Sequence, residues 1–330
     1  MTSKVLELGG RGNIVVKIIA DSKVMDNREQ KARGITYELT YPRLIHSEVM
    51  THRMLTKNAM SSRAVPIEKM IELVNQQAAM PVEWGSNNPG MRSHELLSPE
   101  ATENAKKIWM EAASFACAKA AELSDLGAHK QIANRLLEPF QFMRTIVTGT
   151  DWNNFRWLRV DKDADPTFYE LAKVMMQAMD ESKPETLGYG QWHTPYVEHF
   201  DTGVPGEFGY YVLDDEGNRV VLTKDEALAI SASCCAQVSY RRLNSTKDKA
   251  MDIYGRLLSG NKVHASPFEH QMTPLPYHMY DKKPTTGTSL PPWNWPKGVT
   301  HVTRDLEYFS GNIRGFVQHR QLLENNVKAG

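Results

Sequence analysis

The 330-residue chain is poor in cysteine, with only Cys117, Cys234 and Cys235. Three thiols, two of them adjacent, cannot build a disulfide framework, so a reducing cytoplasm is the expected compartment. Long apolar runs are also missing. Stretches such as IVV at 14–16 fall far short of a membrane span, and MTSKVLELGGRGN lacks the apolar core of a secretory signal. There is no excess charge of either sign, with 39 acidic and 39 basic residues. That balance gives no general attraction to nucleic acid or to a membrane surface, while local anion sites remain open to it. Neither GxGxxG nor GxxxxGK[ST] occurs, which argues against a dinucleotide-binding Rossmann domain and a P-loop. No repeat, low-complexity tract or clear linker is present. The remaining composition, 41% apolar and 24% charged, is that of a soluble globular protein with a substantial core.

The pattern alternates strands and helices. NIVVKIIADSK (13–23) reads as a β-branched strand. In 35–41, Ile35, Tyr37, Leu39 and Tyr41 alternate with polar residues, as in a half-buried strand ended by Pro42. A helical segment follows in RLIHSEVMTHRML, and Pro66 opens another, IEKMIELVN. The clearest helix spans 99–125, capped by Ser98 and closed by Gly127, with Ala105, Ile108, Trp109, Ala112, Phe115 and Ala116 as its apolar stripe. HKQIANRLL predicts a helix stopping before Pro139, FMRTIVTGT a strand, and Asp151 a cap for NNFRWLR. Asp165-Pro166 starts a helix whose Phe168, Leu171, Ala172, Met175, Met176 and Met179 share one face, a spacing read as core. The segment 200–222 predicts a hairpin, TKDE at 223–226 a capping box, and Ser245 a cap for DKAMDIYGRLL. The Pro- and Trp-rich stretch 273–300 predicts an irregular loop, a candidate lid.

Three clusters carry chemistry. THRMLTKNAMSSRAVP (51–66) places the basic pair His52-Arg53 before Ser61, Ser62 and Arg63. Hydroxyls, a guanidinium and the N–H groups of a turn suit a phosphate, and they equally suit a solvated polar turn. In NRLLEP and NNFRWLR, Arg135 and Arg159 lie among apolar residues. Either they point into a pocket or they cover helix surface with their stems, Arg135 pairing with Glu138. HASPFEH (264–270) offers Ser266 and Glu269 in a short turn. Its His-x5-His spacing, without companion ligands, does not support a metal site. Cys234 and Cys235 fall in an apolar helix, where thiols are usually inert.

Together these clusters resemble the flavin-dependent thymidylate synthase family, whose signature is close to R-H-R-x(2)-S-x-N-x(2)-S-x-R. Thr51, His52, Arg53, Thr56, Asn58, Ser61 and Arg63 stand at the matching spacings. NRLLEP is similar to the family's A-R-x-x-L-P, NNFRWLR to N-F-x-x-L-R, AQVSY (236–240) to A-R-x-S-Y, and HASPFEH to H-x-S-P-F-E-H. In common members the last two elements precede the signature. Here they follow it, so the chain looks like a circular permutation, as in longer bacteriophage versions.

The resemblance implies a single α/β (α+β) domain with a mixed, largely antiparallel sheet and long helices, assembled as a homotetramer. It implies FAD as cofactor, and dUMP, methylenetetrahydrofolate and NADPH as co-reactants. Position by position, it implies that His52, Arg53, Asn154, Ser239, His264, Ser266 and Glu269 contact FAD. Ser61, Ser62, Arg63 and Arg135 would hold the dUMP phosphate and sugar, and Arg159 would polarise the uracil ring. No metal, nucleic acid or membrane partner is implied. Thr51 replaces the first signature arginine, Ala59 a common glutamate, Glu48 a glutamine and Asp165 another glutamine. These departures leave open a related methylase or hydroxymethylase acting on dCMP or dUMP, and a non-catalytic nucleotide-binding homologue. Arg43 and Arg320 are the cations able to replace the one missing at Thr51.

Overall fold

A computed structural model of the chain describes residues 5–24, 32–204, 207–239, 246–259, 263–276, 279 and 290–327. Its elements are β1 (Leu6–Gly9), β2 (Val15–Val24), β3 (Arg33–Pro42), α1 (His46–Met50), β4 (Thr56–Ala59), α2 (Ile67–Gln76) and α3 (Pro99–Asp125). Next come α4 (Lys130–Ala133), β5 (Phe142–Gly149), α5 (Asn153–Arg159), α6 (Pro166–Glu181) and β6 (Glu185–Leu187). The last part holds β7 (Glu198–Asp201), β8 (Phe208–Leu213), β9 (Arg219–Leu222), α7 (Lys224–Ala236), α8 (Lys247–Leu258), β10 (Met272–Pro274), β11 (His301–Val302), β12 (Tyr308–Ser310), β13 (Ile313–Arg314) and β14 (Phe316–Gln318). The protein is mixed α+β. Its main sheet has the order β1-β2-β3-β5-β4, all antiparallel, with β6 added parallel to β2.

The alternation in β3 directs Ile35, Tyr37, Leu39 and Tyr41 to one face, each at most 1% exposed. That face packs on α6 through Phe168, Leu171, Ala172, Met175 and Met176, and the Tyr37 hydroxyl donates to the Met175 carbonyl at 3.0 Å. The helix starts where its sequence says it should, because Asp165 accepts from the N–H groups of Thr167 and Phe168.

The opposite face of β3 is partly exposed at Glu38 and Thr40, as a half-buried strand predicts, but it is covered at Thr36. Thr36 is fully buried and pairs in register with Thr148 of β5. A buried chain of hydrogen bonds runs across this face, from Ser22 to His193 (2.8 Å), His193 to Thr36 (2.8 Å), Thr36 to Thr148 (2.7 Å) and Thr148 to His270 (2.8 Å). Hydroxyls on the polar strand positions thus satisfy both nitrogens of His193 and Nδ1 of His270, while His270 Nε2 is left buried without a partner among the described residues.

Several expectations are corrected. In α3 the Ser98 cap is present, but the buried seam is Ala113, Cys117 and Ala120, while Ile108 and Phe115 are 66% and 64% exposed. These small residues share one core cluster with Met70 and Val74 of α2 and with Leu137, and Trp109 and Ala116 of the expected stripe pack at its edge. The segment before Pro139 forms only the one-turn α4, then a 3-10 helix, Asn134–Phe140, that runs through Pro139. Asp151 does not cap α5, whose N-cap position is Trp152 with no side-chain cap. The 200–222 hairpin is β8 and β9, and β7 adds a third strand beginning at Glu198. The Thr223 capping box is present. Ser245 lies outside the described residues, and the N-cap position of α8 is Thr246. Within 273–300, residues 277–278 and 280–289 are likewise outside them; the described part holds the end of β10 and a 3-10 turn, Pro292–Asn294. Among the described residues no helix is long and apolar enough to cross a membrane.

Candidate active site

β4 is the last strand of the main sheet, paired only with β5, so its outer edge is free for other segments. Two segments remote in sequence take it. The 3-10 turn Ser266–Glu269 brings Glu269 to the Thr56 hydroxyl, and Ser266 donates to the Asn58 side-chain oxygen at 3.4 Å. The end of α7 presents the Cys235 carbonyl to the Asn58 amide at 2.7 Å, and the Ser61 N–H donates to the Ser239 hydroxyl at 2.9 Å. Residues 56–61, 235–239 and 266–269 therefore form one polar seam.

A second group surrounds Arg159 at the end of α5. Its Nε donates to His52 Nε2 at 2.7 Å, one terminal nitrogen donates to the Thr51 hydroxyl at 3.2 Å, and the other lies 3.5 Å from Glu48. The guanidinium stacks over Phe168, 4.6 Å from the ring centre. Burial, then Arg159, then Lys57 lower the His52 pKa to about 4. His52 is consequently a neutral acceptor at neutral pH rather than one of a pair of cations, and the nitrogen that accepts from Arg159 carries no proton. Lys57, behind it, is lowered to about 8 by burial and donates to the carbonyls of His52 and Leu55.

A third group lies beyond Ser61. Arg63 and Arg135 line one 470 Å³ cavity with Leu123, Gln131, Ile132 and Leu136. Asn134 fixes the walls, its amide donating to the carbonyls of Ser62 (2.7 Å) and Val65 (2.9 Å). Glu138 accepts from Arg135 at 3.0 Å, from Arg43 at 2.8 Å and from the buried Ser62 hydroxyl at 3.4 Å. Both readings of Arg135 thus hold together: it pairs with Glu138 and borders a pocket.

Arg63 and Arg135 line this cavity, Ser61 contacts Arg63, and the buried Ser62 reaches Glu138 behind Arg135; Ser239, Ser266 and Glu269 share the seam on β4. Arg159 and His52 touch each other. Arg53, Asn154 and His264 have exposed side chains outside these contacts; the Arg53 carbonyl accepts from Asn312 at 3.3 Å. Of the departures, Asp165 is committed to capping α6, and Thr51 faces Arg159. Neither Arg43 nor Arg320 stands in for a cation at Thr51. Arg43 binds Glu138 and Arg320 binds Glu269. Sequence reasoning missed Glu138 as a shared acceptor and Lys57 as a partly buried amine. The acid in NRLLEP, three residues from Arg135, was the available signal for the former. Cys234 and Cys235 are buried, and burial pushes the Cys234 thiol up to about 12, which leaves no thiolate for nucleophilic attack.

No protein-family model and no curated protein sequence matches the chain. Among solved structures it is similar to a UMP/dUMP methylase, PolB, from Streptomyces cacaoi bound with 5-Br UMP, at 14% identity and TM-score 0.39, covering 54% of this chain and 93% of that one. The same methylase bound with 5-Br dUMP matches at 15% identity and TM-score 0.40, covering 52% and 90%.

Proposed function

We propose that the protein is a flavin-dependent methylase of a pyrimidine deoxynucleotide, with dUMP as substrate and dTMP as product. One observation carries the reading. The signature segment 51–63 folds against 235–239 and 266–269, more than 170 residues away, through Asn58, Ser61, Ser239 and Ser266. These are the segments that the family resemblance links, in an order that a circular permutation would produce.

The donor set fits the groups the resemblance requires. The hydroxyls of Ser239 and Ser266 and the amide of Asn58 along one seam, with Arg53 and His264 exposed near it in sequence, suit a dinucleotide's pyrophosphate and polar ring edge. His52, Arg53, Asn154, Ser239, His264, Ser266 and Glu269 are the residues that would hold FAD, which supplies hydride transfer when bound. Arg63 and Arg135, with Ser61 and Ser62, would hold the nucleotide phosphate. Arg159 would stabilise negative charge developing on the pyrimidine carbonyl, since its guanidinium stays charged and is already oriented by His52 and Phe168. The chain's part is orientation and electrostatics. Methylenetetrahydrofolate as one-carbon donor, NADPH as reductant and a homotetramer complete the proposal.

Glu48 favours a second reading. Its carboxylate stands 3.5 Å from Arg159, and a carboxylate there could accept from the exocyclic amine of cytosine. Turnover of dUMP and dCMP with FAD, methylenetetrahydrofolate and NADPH separates the readings. The proposal expects dUMP-dependent oxidation of NADPH with dTMP formed, and Arg159→Ala abolishing dTMP while the protein stays yellow. Turnover of dCMP alone would favour the second reading, and a protein colourless after flavin reconstitution would refute both.

A further inference from the structure

The third group of the site contains an anion of its own. A single oxygen of Glu138, Oε1, receives Arg43 at 2.8 Å, Arg135 at 3.0 Å and the Ser62 hydroxyl at 3.4 Å. Two guanidiniums and a hydroxyl converging on one oxygen are the surroundings that a phosphate oxygen requires. Two of the three donors also have anchors other than the acid. Ser62 is fixed through its carbonyl by Asn134, and Arg43 is mostly buried beside the Met143 sulfur at 3.1 Å. Glu138 itself sits on the 3-10 turn that lines the cavity wall, immediately before Pro139. Its side chain is 24% exposed, on the solvent side of its ion pair with Arg43, which is 17% exposed. His46, the titratable neighbour of this ion pair, adds no compensating charge, because burial and Arg43 lower its pKa while Glu138 only partly opposes them.

We propose that Glu138 is a resident anion of the phosphate cradle, and that a phosphate monoester binds by exchanging with its carboxylate. The inference rests on the reading of this cavity as the nucleotide-phosphate site. In the empty protein the carboxylate keeps Arg43 and Arg135 paired and oriented. On binding, a phosphate carrying about −1.5 to −2 charge takes over those donors and adds Arg63. The exchange recruits Arg43, a residue that does not line the open cavity, into the bound site. It also lowers affinity for every phosphate ligand by one common factor, the cost of displacing the carboxylate, and leaves ligands without phosphate unaffected.

The test is calorimetric titration of the 330-residue protein and of Glu138→Gln with dUMP, inorganic phosphate and deoxyuridine. Glu138→Gln is expected to bind dUMP and inorganic phosphate each about tenfold more tightly, with deoxyuridine unchanged. Glu138→Leu serves as a second variant should the first not fold, with the same expectation. If wild type binds dUMP and the folded variants bind it equally or more weakly, Glu138 is a fixed structural partner and the inference falls alone. If folded wild type binds neither dUMP nor phosphate, the nucleotide site falls, and this inference with it. Replacing Arg43 by Met in the Glu138→Gln background should return dUMP affinity toward wild type; no effect would overturn the recruitment of Arg43.

Discussion

The buried chain from Ser22 to His270 makes a quantitative statement about acid. His193 and His270 are fully enclosed, and burial lowers each imidazole from 6.5 to about 3. His199 and His270 add smaller like-charge contributions at His193. In the unfolded chain both rings take up a proton near pH 6.5; in the folded chain they stay neutral down to about pH 3. Between those values the unfolded state binds more protons, so stability rises with pH through this window and is lost as pH falls. Going from pH 7 to pH 5, each ring contributes a loss of about 2 kcal/mol, and the pair about 4 kcal/mol. That is a large part of the roughly 5–15 kcal/mol that holds a typical domain together. His193→Gln removes one titrating group and keeps an amide near the Thr36 hydroxyl. At pH 7 it should lose about 1–3 kcal/mol for imperfectly replaced hydrogen bonds. Its further loss between pH 7 and pH 5 should then be about 2 kcal/mol smaller than that of wild type. Urea unfolding at both pH values, followed by fluorescence, measures the difference, and contributions from other groups cancel in it. Equal losses in the two proteins would refute the argument.

Other perturbations address single contacts. Thr223→Ala removes the hydroxyl that closes the capping box on α7 and should cost about 1 kcal/mol in urea unfolding, while Thr223→Ser should retain most of the stability. Arg320→Met removes the ion-pair partner of the Glu269 carboxylate, leaving it the Thr56 hydroxyl, and should cost about 1–2 kcal/mol, discounted for its exposure. The double variant with Glu269→Gln should recover part of that loss, because no unpaired charge is then left, and a purely additive cycle would contradict the pairing.

Local rules were legible wherever one residue type has one physical use. Asp165 and Thr223 cap helices because a short side-chain acceptor next to free N–H groups has no better role, and the α6 face is core because its apolar residues recur at helical spacing. The stripe on α3 misled in part, since Trp109 and Ala116 do pack on the core, for the opposite reason. Ile108 and Phe115 are apolar enough for a core, yet the seam belongs to Ala113, Cys117 and Ala120, and closeness of approach depends on the partner helix rather than on hydrophobicity.

By itself the sequence nominated the segments of the candidate site, 51–66, 134–139, 153–159 and 264–270, and showed the absence of a nucleotide-binding glycine motif. Only the tertiary structure decided their grouping. It put Asn58 and Ser61 against Cys235, Ser239 and Ser266, gave Arg159 a neutral His52 as partner, and set Glu138 between Arg43 and Arg135. Spacing along a chain fixes only which neighbours share a turn. A pKa or an ion pair depends on burial and on charges a few ångströms away, whatever their distance in sequence.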